Sequence, residues 1–254
     1  WYQREIEIPA AWKGKRIFLY FERTHWLSSV YVGKEEVSKI DYISIPHNHE
    51  LTQWLHPGKK ELITFCIDNR YQYDTHKWDH AHSEFTQINW NGVLGEIKLV
   101  AVDPVYVDDM QVYPDIKNKS IKVKMTVRNC TEHTASGKIS FHVTGKDYRL
   151  QKEVPVTVTD SITYIEEEMF LGKDIHLWNE FHPNLYTLDC KLTSSVEGQS
   201  YAHEKSTTFG MREVEAGEDH IILNGEPIHL RGTVENAVFP KTGYAPVDDA
   251  SWER

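Results

Sequence analysis

Ile121-Lys122-Val123-Lys124-Met125-Thr126-Val127-Arg128 alternates apolar and polar residues without a break. Successive side chains of a strand point to opposite faces, so this octet offers an apolar row to one side and a polar row to the other. That is a half-buried strand with its polar face in water. Ile139, Phe141 and Val143 repeat the pattern, as do Val154, Val156 and Val158, then Tyr186, Leu188, Cys190 and Leu192. Upstream, Ile17-Phe18-Leu19-Tyr20-Phe21 is an apolar-rich run, and Val30-Tyr31-Val32 meets Gly33-Lys34, a Gly-X pair suited to a tight hairpin turn. Sustained 3.6-residue periodicity is scarce. Many short strands separated by turn residues predict an all-β chain built of antiparallel sandwiches.

Two boundaries divide it. Val102-Asp103-Pro104 follows a closing strand at Glu96 to Val100, and a fresh run begins at Val105. A second sandwich ends near Phe209-Gly210-Met211-Arg212. Beyond it, Ile221-Ile222-Leu223 and Ile228-His229-Leu230 flank Asn224-Gly225, a strong hairpin signal. Thr233 to Arg254 shows no apolar face of its own. The expected domains are therefore 1–103, 104–210 and 211–254.

Composition narrows the partners. Lys and Arg number 28 against 38 Asp and Glu, a net charge of −10, so the chain lacks the basic footprint that binds phosphate backbones or anionic lipid. Nucleic acid and membrane are accordingly not expected as partners. No apolar run approaches the ~20 residues that span a bilayer. Aromatics make up 12% of the chain, and flat rings serve both sandwich cores and sugar stacking; the core accounts for most of them. Cys66, Cys130 and Cys190 are far apart and odd in number, with no CxxC zinc spacing. Cys66 and Cys190 sit in strand-like runs and read as buried, inert thiols.

Four segments, taken in order, resemble family 2 glycoside hydrolases, the group of β-galactosidases, β-glucuronidases and β-mannosidases. Trp1-Tyr2-Gln3-Arg4-Glu5 through Ile8-Pro9, Trp12-Lys13-Gly14-Lys15-Arg16 and Trp26 to Val32 resemble the family's N-terminal sugar-binding jelly roll, of the galactose-binding kind, which closes with Asn89-Trp90-Asn91-Gly92-Val93-Leu94-Gly95-Glu96-Ile97. Leu177-Trp178 with Pro183-Asn184-Leu185-Tyr186-Thr187-Leu188 resembles the family's immunoglobulin-like sandwich. Phe209-Gly210-Met211-Arg212 resembles the link into the catalytic barrel, and Leu223 to Gly232 its first hairpin and strand. The pattern departs from the family where Gly33-Lys34 directly follows Val-Tyr-Val in place of Asn-Gly, and the strands that usually precede Trp1 are missing. The resemblance implies that the TIM barrel, needing about 250 residues, has barely begun at Arg254.

Retaining glycoside hydrolysis takes two carboxyl groups about 5–5.5 Å apart, projecting from different barrel strands. The resemblance puts both beyond Arg254, so no catalytic residue is expected within the chain. Asn179-Glu180 copies the family's acid/base dipeptide, but its neighbours Leu177-Trp178 and Pro183 to Leu188 match the sandwich motif instead. Glu166-Glu167-Glu168 reads as a solvated edge. His76, His80 and His82 fall in a loop before a strand; His76 and His80 would share a helix face, yet ligand partners at zinc spacing are absent, and a polar loop rim is the better reading. No metal and no cofactor is expected.

The resemblance also lets that loop reach over a barrel mouth. His82, Asn89, Trp90 and Asn91 thereby become candidates for substrate contact, since an amide offers donor and acceptor to neighbouring hydroxyls and an indole stacks on a sugar face. Packing between sheets is an equal reading for Trp90. Arg231 and Asn236, at or after the first barrel strand, are further candidates, the guanidinium being able to fix a carboxylate by paired hydrogen bonds. The expected function is the non-catalytic N-terminal part of a family 2 enzyme whose whole hydrolyses β-glycosides with retention, this part acting as scaffold and active-site rim. The alternative is a free-standing carbohydrate-binding β-sandwich without hydrolase activity. Either way the partner is a β-linked glycan, and a periplasmic or secreted home is expected from the resemblance alone. The sequence carries no signal for oligomeric state.

Overall fold

The computed structural model describes residues 1–43, 45–70, 91–232, 246 and 248–253. The chain is all-β. It packs as two compact units, one of Trp1–Ala101 with Gly232–Arg254 and the other of Val102–Arg231.

Among the described residues the first unit holds seven strands: β1 (Tyr2–Glu7), β2 (Arg16–His25), β3 (Leu27–Val32), β4 (Glu35–Asp41), β5 (His47–Glu50), β6 (Lys60–Asp68) and β7 (Gly92–Val102). Four of them form a sheet in the order β1-β6-β3-β4, and three form a second sheet, β5-β2-β7. Ile17, Leu19 and Phe21 of β2 are buried together with Val30 of β3 and Ile63 and Phe65 of β6, so the two sheets enclose one core. The apolar run at 17–21 is explained by that position in the middle of its sheet. Gly33, at φ +61°, supplies the positive φ that the two-residue turn between β3 and β4 requires, as its sequence predicts. The closing strand is longer than the Glu96–Val100 run suggests, because β7 begins at Gly92 and continues to Val102.

Seven longer strands build the second unit: β8 (Val105–Asp115), β9 (Ser120–Asn129), β10 (Ala135–Gly145), β11 (Tyr148–Val158), β12 (Ile162–Phe170), β13 (Tyr186–Val196) and β14 (Gln199–Phe209). Their sheets run β12-β9-β8 and β11-β10-β13-β14. The alternation read in β9 is realised without exception on its apolar side: Ile121, Val123, Met125 and Val127 are all buried. They meet Ile139, Phe141 and Val143 of β10 and Leu188, Cys190 and Leu192 of β13 in a core drawn from both sheets. Tyr186, at the start of β13, accepts a hydrogen bond from the His176 backbone N–H at 2.9 Å and so pins the loop that precedes its own strand.

A small sheet, β15 (Val214–Ala216), β16 (Ile221–Leu223) and β17 (Glu226–Ile228), ends this unit. Asn224 and Gly225 form the expected turn with φ +54° and +86°, the double positive φ that makes Asn-Gly the favoured pair here. The strand after the turn is shorter than Ile228-His229-Leu230 suggests, since pairing stops at Ile228. One further expectation needs correction: Cys190 is buried, but Cys66 in β6 is only half-buried, on the less covered side of its strand.

Candidate functional site

Three separate stretches of sequence converge in the second unit. Trp178 donates its backbone N–H to the Met211 carbonyl at 2.9 Å, and Leu177 bridges Met211. Asn224, from the β16–β17 turn, donates its side-chain amide to the Trp178 carbonyl at 2.9 Å and accepts the Glu213 backbone N–H at 2.9 Å. The Arg212 guanidinium lies 4.6 Å from the centre of the Trp178 ring, a cation–π contact. Gly210 is required at this place: a Cβ there would come within 2.8–2.9 Å of Trp178 Cβ and Cγ. Leu177-Trp178, Phe209 to Arg212 and Asn224-Gly225 are thus one knot of structure.

The second locus is the base of the segment between β6 and β7. Asp68 holds Arg70 in a forked pair, Nη2 to Oδ2 at 2.6 Å and Nε to Oδ1 at 2.9 Å, and also accepts the Arg70 backbone N–H. Those bonds hold the Asp68 carboxyl down to about pH 2, so it is ionised at any physiological pH. Beside it, the Asn69 side-chain amide donates to the side-chain carbonyl of Asn91. The segment's two ends are thereby tied, and exposed Asn91 retains two N–H donors of the kind a hydroxylated ligand uses. Of the other candidates, Arg231 is exposed three residues after β17. His82, Asn89, Trp90 and Asn236 lie outside the described residues, as do His76 and His80. Among the described residues no group of three or more His, Cys, Asp or Glu side chains could hold a metal ion.

The carboxylate decoys take structural places. The Asn179 side-chain carbonyl caps the backbone N–H groups of Phe181 (3.0 Å) and His182 (2.7 Å), making a local turn that leaves Glu180 exposed. Glu166 of edge strand β12 pairs with Lys122 at 2.9 Å and Lys124 at 3.7 Å on neighbouring β9. Glu167 pairs with Lys152.

Sequence reading missed a buried polar chain in the first unit. His47 and His49 of β5 are fully buried, with Ser28 of β3 between them. The Ser28 hydroxyl is 2.6 Å from His47 Nδ1 and 2.8 Å from His49 Nε2. His47 Nε2 lies 2.9 Å from the Tyr42 carbonyl, which only accepts, so Nε2 carries the proton and Nδ1 accepts from Ser28. Ser28 in turn accepts from His49 Nε2–H, and His49 Nδ1 accepts from Ser38 at 2.8 Å. Every link is satisfied with both imidazoles neutral. Burial favours that state: it lowers the His47 pKa and, with His47 adjacent, brings His49 down to about 3. The chain's two imidazoles and Ser28 are buried, and it joins β3 and β4 of one sheet to β5 of the other. Its role is to hold the sandwich together.

Residues 105–212 match the family model of glycosyl hydrolases family 2. Over these residues the chain resembles that family. The matched range ends at Arg212 and so takes in the Trp178 knot apart from Glu213 and Asn224. Along its whole length the chain is similar to family 2 proteins. It is 24% identical to the β-galactosidase of Thermoanaerobacter pseudethanolicus over 251 residues, which is 98% of this chain and 33% of that protein. It is 22% identical to the β-glucuronidase of Sus scrofa, over 91% of this chain and 38% of that protein. The chain therefore spans about a third of the length of these relatives. Among solved structures, Bacteroides uniformis β-glucuronidase 2 aligns with a TM-score of 0.73 at 17% identity, over 91% of this chain and 28% of that one. A family 2 member from Bacteroides cellulosilyticus aligns with a TM-score of 0.72 at 18% identity, over 88% and 30%. At such identities the structural likeness speaks for the fold.

Proposed function

We propose that this chain is the non-catalytic N-terminal part of a family 2 glycoside hydrolase, a scaffold and active-site rim for a retaining β-glycosidase. In this reading residues 1–103 are a jelly-roll sugar-binding domain, 104–210 an immunoglobulin-like sandwich, and 211–254 the entry to a (β/α)8 barrel. The sheet order of the second unit supports the middle assignment. Its first, second and fifth strands share one sheet and its third, fourth, sixth and seventh the other, an immunoglobulin-like division. The observation that carries the reading is the family match over 105–212, with Trp178, Met211 and Arg212 of the knot inside it.

The part played here is mechanical and steric. A rigid knot at Trp178, Met211 and Asn224 fixes the direction in which the chain leaves the sandwich, and positioning to within about an ångström governs rate in an assembled site. At the rim, Asn91 offers amide donors to sugar hydroxyls, and the ionised Asp68 holds Arg70 beside it. His82, Asn89, Trp90, Arg231 and Asn236 are proposed as further substrate contacts.

The test compares the 254-residue chain with the product of a longer reading frame containing it, each assayed on aryl β-galactoside and aryl β-glucuronide. The longer protein turns over one of them, and the chain alone turns over neither. Hydrolysis by the chain alone would overturn the assignment, as would inactivity of the longer protein on the whole β-glycoside panel.

A further inference from the structure

The outward face of the sheet β12-β9-β8 is a regular grid. Pairing sets Tyr113, Lys122 and Glu168 in one row, Gln111, Lys124 and Glu166 in the next, and Asp109, Thr126 and Tyr164 in a third. Tyr164 is 80% exposed near the start of an edge strand. Its neighbour Ile165 faces the core, so the register of β12 forces the ring outward. A large bare aromatic on an edge strand is an association hazard that sheet proteins ordinarily avoid, and it has no packing role to justify it. Tyr113, 47% exposed, occupies the opposite corner, with Lys124 Nζ 5.3 Å from its ring centre. Its hydroxyl donates to Gln111, and Gln111 donates to Asp109 at 2.8 Å.

Beside Tyr164 runs a shallow groove of about 270 Å³, whose floor and walls include Asp109, Gln111, Lys124, Thr126 and Glu166, while Tyr113 stands outside its lining. We infer that this face binds a neutral, β-linked oligosaccharide, at a site separate from the proposed rim. Three properties select that ligand. The two rings stand apart by four residues along the strands and two strands across, roughly 17 Å from ordinary sheet spacings, which is the span of an oligosaccharide and not of one sugar. Tyr164 offers a bare flat surface for the C–H face of a pyranose. The ground between carries an amide, a hydroxyl, carboxylates and ammonium groups, both donors and acceptors for hydroxyls, as polar groups in a ligand groove are arranged.

Charge and composition exclude the competing partners. Lys122 and Lys124 stand against Asp109, Glu166 and Glu168, so the face carries no positive surplus for an anionic glycan. A protein interface core is depleted in Lys, Glu and Asp, whereas these residues fill the middle of this one. The choice of a glycan over other polyols rests on the family reading above; the location rests on the face itself.

The experiment is a calorimetric titration of the 254-residue chain with cellotetraose and with β-1,4-galactotetraose, repeated for Tyr164→Ala, Tyr164→Phe and Asn91→Ala. Binding of either probe, weakened at least tenfold in Tyr164→Ala and kept in Tyr164→Phe and Asn91→Ala, is the expected result. Tyr164 is exposed enough that its truncation leaves the fold intact, which circular dichroism checks. No binding of either probe, or binding indifferent to Tyr164→Ala, overturns the inference. Aryl-glycoside hydrolysis by the longer protein is read in parallel. It survives Tyr164→Ala if the family reading holds, so failure of the surface site and failure of that reading give different results.

Discussion

The Ser28 hydroxyl lies 2.6 Å from Nδ1 of His47, and that contact orders the protons of a whole buried chain. Because His47 Nε2–H is committed to the Tyr42 carbonyl, Ser28 must donate to Nδ1 and accept from His49. A proton added to either imidazole would require Ser28 or Ser38 to turn from donor to acceptor. The folded state resists protonation mainly through burial, which lowers the pKa of both histidines.

Acid should accordingly unfold the first unit. Both histidines have folded-state pKa values below their ordinary 6.5, His49 at about 3, mainly through burial; the Tyr42 carbonyl and then Asp41 partly offset the shift at His47. Between the folded and unfolded values the unfolded chain binds more protons, so stability is full above about pH 6.5 and falls as pH drops toward the folded values. Each histidine contributes a slope of up to about 1.4 kcal/mol per pH unit. Urea denaturation at pH 7, 6, 5 and 4, followed by a signal from the first unit, should show the midpoint falling. His49→Phe, whose ring keeps contact with Phe21, should flatten that dependence while lowering stability at pH 7. A wild-type midpoint constant from pH 7 to 4 would remove the relay from the account.

Ser28→Ala tests the same chain at neutral pH. It leaves His49 Nε2–H without its acceptor and His47 Nδ1 without its nearest donor, although Thr24 Oγ1, 3.0 Å from that nitrogen, can partly replace it. A buried polar group left unsatisfied costs about 1–3 kcal/mol, so a loss of about 2 kcal/mol is expected, with the urea m-value unchanged. A loss below about 0.5 kcal/mol, the level of an ordinary surface change, would mean that solvent reaches the cluster.

The contrast between this cluster and the second sandwich explains what the sequence made legible. In β9, β10 and β13 most inward residues are aliphatic or aromatic, so period two is visible by eye. In β5 the inward positions are His47 and His49, and a search for apolar alternation passes over them. Strand β12 is hidden in a different way. Glu166-Glu167-Glu168 looks uniformly solvated, yet Glu167 is half-buried against Lys152 while its neighbours face out. The hairpins at Gly33-Lys34 and Asn224-Gly225 were readable because turn chemistry is local. The tie of Asn91 to Asn69 joins the start of β7 to the end of β6, strands of two different sheets, and no local motif announces it.

Thiol chemistry offers a check on burial. None of the three cysteines is in a disulfide; Cys130 is exposed, Cys66 half-buried and Cys190 buried. Burial pushes the Cys190 thiol up to about 12, which leaves almost no thiolate at pH 8, and the thiolate is the reacting species. Iodoacetamide at pH 8 should modify Cys130 first, Cys66 more slowly, and Cys190 only after denaturant is added, as read by peptide mass spectrometry. Early labelling of Cys190 in the native chain would show that the second core opens far more readily than its packing implies.

Gly210→Ala probes the knot at its tightest point. The added methyl group would meet Trp178 at Cβ and Cγ, the inner end of the side chain, where rotation about χ2 gives no relief. Either the Trp178 backbone moves, straining its bond to the Met211 carbonyl, or the indole swings and abandons Arg212. Overpacking of this kind costs about 1–3 kcal/mol. Arg212→Ala removes the cation without crowding and should cost under about 1 kcal/mol at so exposed a site. Both variants should shift the Trp178 indole N–H resonance, but only Gly210→Ala should also lower the unfolding midpoint clearly. If Gly210→Ala were as stable as the wild type, the close approach of Trp178 to this glycine would not exist in solution, and the knot would be looser than these contacts require.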